Sequence, residues 1–251
     1  MVSPYKKKNI YTSAFSISIF GLMIATLATP WYVWDHSFSL RSADDTLNPS
    51  SGMNAVVSVS TLNQTTIVYD LIGFRTSTMK SGSKAKLQSY KTHSLSEMPS
   101  VASIFRVCTA FVLITLILSL AVSVIQLIFL NEYIRNKLLF LVGMSNFRIS
   151  LISVSGLIIV STLIAMLAFL GISAAFKIDQ PFCSEGPCRD FSSSVSSSFD
   201  DQTKSVTKWG PDAGWYITLS SIPLSVVLLY FISINKFPLP MVFEASSGEA
   251  L

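Results

Sequence analysis

The sequence predicts an all-α transmembrane protein, a four-helix bundle carrying a small extracellular antiparallel β-sheet in its first outer loop. Three observations lead there. Half of the residues are apolar and only 13% are charged, about half the charged share usual in soluble domains. Asp, Glu, Lys and Arg are absent from four windows, residues 9–34, 107–131, 149–176 and 213–235. Each window exceeds the roughly 20 apolar residues a helix needs to cross a hydrocarbon core, and none suffices for two crossings. The third observation is a set of strand-like runs in the long polar segment after the first window. Residues 1–251 thus read as a single four-span membrane domain, with spans at about 10–30, 104–130, 149–176 and 214–235 and outer loops at 35–100 and 177–212.

The first window follows Lys6, Lys7 and Lys8, the basic flank shared by secretory signals and signal anchors. Its apolar stretch runs on to Pro30, beyond the roughly 7–15 residues of a signal-peptide core, which favours an uncleaved anchor. Trp31, Tyr32 and Trp34 come next, with Trp215 and Tyr216 near the start of the fourth window. Such amphipathic rings settle in the headgroup layer, so Trp31 and Trp34 are expected to be structural anchors.

In the first outer loop, residues 37–41, 55–62 and 66–74 read as strands, the last two joined by a tight polar link around Asn63 and Gln64. Residues 79–96, with Lys80, Lys84, Lys86 and Lys91 among serines, read as a mobile basic flap or solvated linker. Asn63-Gln-Thr is a glycosylation sequon, whereas Asn48-Pro-Ser is excluded by its proline.

The second window is preceded by Arg106, about two turns into a helix that begins near Pro99. A guanidinium at that depth snorkels or finds partners, here a loop carbonyl, the indole of Trp31 or Trp34, or Asp70, so Arg106 is expected to be structural. Residues 112–120 carry only hydroxyls for relief, which lipid tolerates because they bond back to the helix. Arg135, Lys137 and Arg148 separate the second and third windows, while the second outer loop holds more acids than bases. Both termini are accordingly placed in the cytoplasm.

Cys183 and Cys188 flank Ser-Glu-Gly-Pro in the second outer loop, where a turn can bring two sulfurs together. A disulfide between them is expected, and with it an oxidising compartment. Cys108 lies inside the second span as a small lipid- or core-facing side chain. The serine-rich residues 192–198 read as disordered. Small residues four apart, Gly21 with Ala25, Ser119 with Ser123 and Gly171 with Ala175, permit close helix approach and are expected to pack the bundle itself.

No catalytic, cofactor-binding or metal-ligating set emerges. His36 and His93 lack a partnering CxxC or HxxxH, and the sequence holds no GxSxG, HExxH or phosphate-cradling glycine loop. No carboxylate falls within the four windows, and a proton or ion pathway needs an ionisable group at depth. An enzyme is not expected, nor are a cofactor, a nucleic-acid partner or a small-molecule substrate.

A first span ending in Trp31 or Trp34, a larger, strand-built first outer loop, Ser103-Ile-Phe-Arg106 near the start of the second span and a Gly- and Leu-rich third span resemble a known group. It is the superfamily of claudins, peripheral myelin protein and calcium-channel gamma subunits. The first-loop cysteines of that group are absent, and Leu71-Ile-Gly73-Phe74 stands where its Gly-Leu-Trp motif is sought. Tetraspanins and connexins fit less well, since their loop cysteine patterns are missing here. The resemblance implies a multi-pass plasma-membrane protein acting in cell adhesion, junctions or membrane organisation through its extracellular sheet and helix faces. Its partners would be the lipid bilayer and other membrane proteins or itself, in cis or in trans. The alternative implied is an auxiliary subunit that modulates a channel or receptor.

Overall fold

The computed structural model describes residues 4–41, 59–71, 73–82, 85–94, 98–131, 133–135, 137, 143–180, 186–200 and 203–234. Its helices are α1 (Pro4–Ala28), α2 (Pro99–Ile128), α3 (Met144–Leu170), α4 (Ile172–Asp179) and α5 (Ala213–Ile234). Its strands are β1 (Tyr32–Arg41), β2 (Val59–Tyr69), β3 (Gly73–Gly82), β4 (Ala85–Ser94), β5 (Ser193–Asp200) and β6 (Thr203–Pro211). Among the described residues, four helices are long and apolar enough to cross a membrane, over Asn9–Ala28, Pro99–Ile128, Ser145–Leu170 and Ala213–Ile234. The third expected span is interrupted at Gly171, where α3 ends and the short α4 begins.

The chain forms two compact units whose boundary falls within the helices. The first gathers Met1–Met23, Leu113–Thr162 and Ser220–Leu251. Its exposed helix positions include large apolar side chains, Ile117, Leu157 and Tyr230 among them, while Thr12, Ser16, Ser119, Ser155 and Ser225 are buried. Water would favour the reverse arrangement; hydrocarbon favours this one, because polar groups hide and apolar groups face the solvent. The buried hydroxyls are satisfied along their own helices, with Ser123 donating to Ser119 O at 2.7 Å, Ser155 to Leu151 O at 2.8 Å and Ser225 to Ser221 O at 2.8 Å. Between helices, Thr12 Oγ1 donates to Gln126 Oε1 at 3.1 Å, and Phe15 stacks on Phe231 at 5.6 Å. The Arg148 guanidinium donates to the Ser233 carbonyl.

The second unit comprises Ile24–Val112 and Leu163–Leu219 and contains the sheet. All neighbours pair antiparallel in the order β4-β3-β2-β1-β6-β5. The sheet therefore draws on both loops, which corrects the expectation of a sheet confined to the first. β2 runs unbroken through Asn63 and Gln64, opposite Phe38 and Ser37, so no link lies there. The reversal comes later, where Asp70 N donates to Gly73 O at 2.8 Å. The expected basic flap contains β4, and the serine-rich segment expected to be disordered contains β5. In both cases the backbone of a neighbouring strand supplies what side-chain hydrophobicity does not.

Candidate functional site

Beneath the sheet lies an aromatic foundation. Trp31, Tyr32, Tyr69, Phe105, Phe169 and Phe176 are fully buried. Trp31 meets Phe169 edge-on at 5.2 Å, Tyr69 stacks on Phe74 at 5.4 Å, and Phe105 meets Phe169 at 5.8 Å. Each such pair contributes about 0.5–1.5 kcal/mol beyond its buried area. Trp31 is thus a core residue; its indole turns inward and donates to Thr26 O at 3.1 Å, which replaces the expected headgroup anchor. Burial raises the Tyr69 phenol above its ordinary pKa, and burial followed by the neighbouring Tyr69 does the same to Tyr32. Tyr32 donates to Phe191 O at 3.1 Å, whereas the Tyr69 hydroxyl is buried without a partner among the described residues.

Backbone bonds join the strand ends to the helices. Trp31 N donates to Tyr69 O at 2.9 Å, Asp212 N to Trp31 O at 2.9 Å, and Gly214 N to Pro30 O at 2.7 Å. The Asp179 carboxylate, at the end of α4, accepts from Ser100 N at 3.0 Å and Val101 N at 2.9 Å. It caps two donors at the start of α2, where the helix dipole also favours a negative charge. The sequence does not reveal this role of Asp179, because a cap supplied by a distant segment leaves no local signature.

Arg106 does not tie α2 to the sheet. It is exposed, and no hydrogen bond, ion pair or ring contact engages it among the described residues. The partners expected for it are occupied elsewhere: Asp70 pairs with Arg75 at 3.0 Å, and the Trp31 indole faces inward. Trp34 belongs to the sheet, directly opposite Trp209 of β6 and Ile67 of β2. Asn63 occupies the interior strand β2, opposite Phe38 and Lys80.

The alternation of β1, β6 and β5 places Trp34, His36, Trp209, Thr207, Ser205, Val195 and Ser197 on one face. The opposite face carries Asp35, whose carboxylate accepts from Gln64 Nε2 at 3.1 Å and Thr66 Oγ1 at 3.0 Å. The two open edges differ. β4 carries Lys86 and Lys91, whereas β5 has no charge before Asp200 and exposes Ser193, Ser194, Val195 and Ser196.

Cys108 is a free, buried thiol whose Sγ lies 3.4 Å from Ala165 O. Cys188 is buried in the 3-10 turn Gly186–Cys188, where Gly186 has a φ of +72°, the left-handed region that glycine enters without strain. Cys183 lies outside the described residues. Among those residues, no group of three or more His, Cys, Asp or Glu side chains is placed to hold a metal ion. No protein-family profile matches the chain, and no curated protein matches it.

Proposed function

We propose that this is a claudin-like plasma-membrane contact protein, acting in adhesion, junctions or membrane organisation through the outward sheet. Both termini lie in the cytoplasm, Asn63 carries a glycan, and Cys183 is bonded to Cys188. The observation that carries the reading is the β5 edge. An open edge strand is a template for another chain unless lysine or proline blunts it, and β4 has the lysines while β5 lacks both over residues 193–199. The four apolar helices support the membrane setting.

The test mixes two cell populations, each expressing a differently tagged copy, and measures clustering. Wild-type cells are expected to cluster, and the double variant Ser194→Lys, Ser196→Lys to abolish clustering while reaching the surface normally. Protease should reach neither terminal tag from outside, and a glycosidase should shift the mass of the wild type but not of Asn63→Gln. Equal clustering by the edge variant, or an accessible N-terminal tag, would overturn the reading.

An auxiliary-subunit role is the second reading. Gly21 is exposed on α1, and a methyl built there meets nothing within 4 Å. It is therefore not packed against its own helices, which leaves a close approach open to another span. A channel or receptor that co-purifies with the wild type but not with Gly21→Leu would favour it.

A further inference from the structure

The face shared by β1, β6 and β5 borders a half-open cavity of 390 Å³, within the range of roughly 300–1,000 Å³ typical of small-molecule sites. Its walls combine two indoles with hydroxyls and one imidazole. Trp34 and Trp209 stand opposite each other on neighbouring strands. His36 Nδ1 lies 2.7 Å from Thr207 Oγ1, and Ser197 Oγ lies 2.7 Å from Ser205 Oγ. Trp209 Nε1 donates to Asp190 O at 2.9 Å, which fixes that ring, while the Trp34 N–H is buried without an acceptor among the described residues. Among the described residues, the lining includes no carboxylate, ammonium or guanidinium group.

We propose that this cavity binds a neutral saccharide unit. An indole face is electron-rich and attracts the positively polarised C–H bonds of a pyranose ring. Hydroxyl and imidazole groups both donate and accept, as a sugar's own hydroxyls require. The described lining offers a charged ligand no carboxylate, ammonium or guanidinium counter-charge, and a wholly apolar one would cover the wall hydroxyls without replacing their water. The chemistry fits equally a free or polymeric saccharide and the glycan of a partner glycoprotein. The proposal shares with the contact reading only the outward placement of this face, and its test in solution does not depend on that placement.

Full-length protein is purified in a zwitterionic detergent, because maltoside headgroups are themselves neutral saccharides, and is treated with a glycosidase. Maltotetraose, cellotetraose and mannotetraose are then titrated while tryptophan fluorescence is followed, with a heparin tetrasaccharide as the charged control. At least one neutral tetraose should give a saturable shift with a Kd of roughly 0.1–1 mM, and the charged one none. Trp209 is buried and braces the sheet, so the wall is altered from the exposed position Val195. Val195→Trp fills the cavity with a residue suited to strands and should weaken binding about ten-fold while leaving thermal unfolding unchanged. A high-mannose glycoprotein that binds more tightly than the tetraoses, and loses binding when deglycosylated, identifies a partner's glycan; tetraose binding alone identifies the free or polymeric source. If a well-folded protein gives no saturable response to any neutral oligosaccharide, or Val195→Trp binds as the wild type does, the proposal is overturned.

Discussion

Replacing Gly214 with alanine should destabilise the sheet-bearing unit by a calculable amount. The added methyl would sit 2.5 Å from Trp31 Cδ1, 2.8 Å from Trp31 Nε1 and 2.8 Å from Pro30 O. Carbon atoms settle at about 3.5–4.0 Å, so roughly 1 Å of extra separation has to be found. Neither neighbour yields easily. Trp31 is fully buried and held by Thr26 O and Phe169, and Pro30 O is itself the acceptor for Gly214 N at 2.7 Å. Overpacking of this kind costs about 1–3 kcal/mol, and stretching the backbone bond adds about 1 kcal/mol. Alanine's helical advantage over glycine offsets about 1 kcal/mol, leaving a net loss of about 1–3 kcal/mol. Thermal unfolding of the detergent-purified protein, followed by intrinsic fluorescence, should show a clearly lowered midpoint. Gly156→Ala is the control, since its methyl meets nothing within 4 Å. If Gly214→Ala melts with or above the wild type, the packing argument around Trp31 fails.

Four further outcomes can be checked on the same protein. Asp179→Ala removes the cap from α2 and should cost about 1–2 kcal/mol in thermal unfolding, with Asp179→Asn recovering part of it. Arg106→Ala should change stability by less than about 0.5 kcal/mol, as expected for an exposed residue without partners; a larger loss would restore a structural role for it. Tyr32 and Tyr69 stay neutral in the folded protein above the ordinary tyrosine value of 10.0 at which the unfolded chain ionises. Stability is thus fully present below about pH 10 and is lost as the pH climbs beyond it, and melting scans should fall more gently in Tyr69→Phe. Non-reducing peptide mapping should recover Cys183 joined to Cys188 and Cys108 as a free thiol; two free loop thiols in protein from an oxidising compartment would refute the pairing.

The four long helices were legible because lipid imposes a one-dimensional rule: a charge-free window of sufficient length needs no knowledge of its neighbours. The sheet obeys no such rule. Residues 193–199 contain five serines, and alone they suggest disorder. They form a strand because β6 offers its backbone, a pairing settled by residues far along the chain. Asn63 and Gln64 look like turn residues for the same reason, yet Gln64 is held in β2 by Asp35 across the strand. Trp31 is structural as expected, though as a buried residue, whereas Arg106 is exposed. Depth along a helix is readable, but the direction a side chain faces depends on distant partners, as Phe169 is for Trp31, and no local pattern encodes that. The cavity between Trp34 and Trp209 leaves no sequence signal, because the pairing of β6 with β1 joins segments far apart in the chain.

The pairing of β1 with β6 also sets an order of events during synthesis. His36 and Thr207 touch although 171 positions separate them, and β1 is completed on that side only by β6. Until the ribosome has made nearly the whole chain, β1 presents a naked edge beside a finished β2. Closing so long a loop is slow, and an unpaired strand recruits whatever strand arrives first. The newborn protein therefore passes through a window in which its own centre is exposed to other nascent chains. A polypeptide truncated before β6 would be held in that state and become a substrate for quality control.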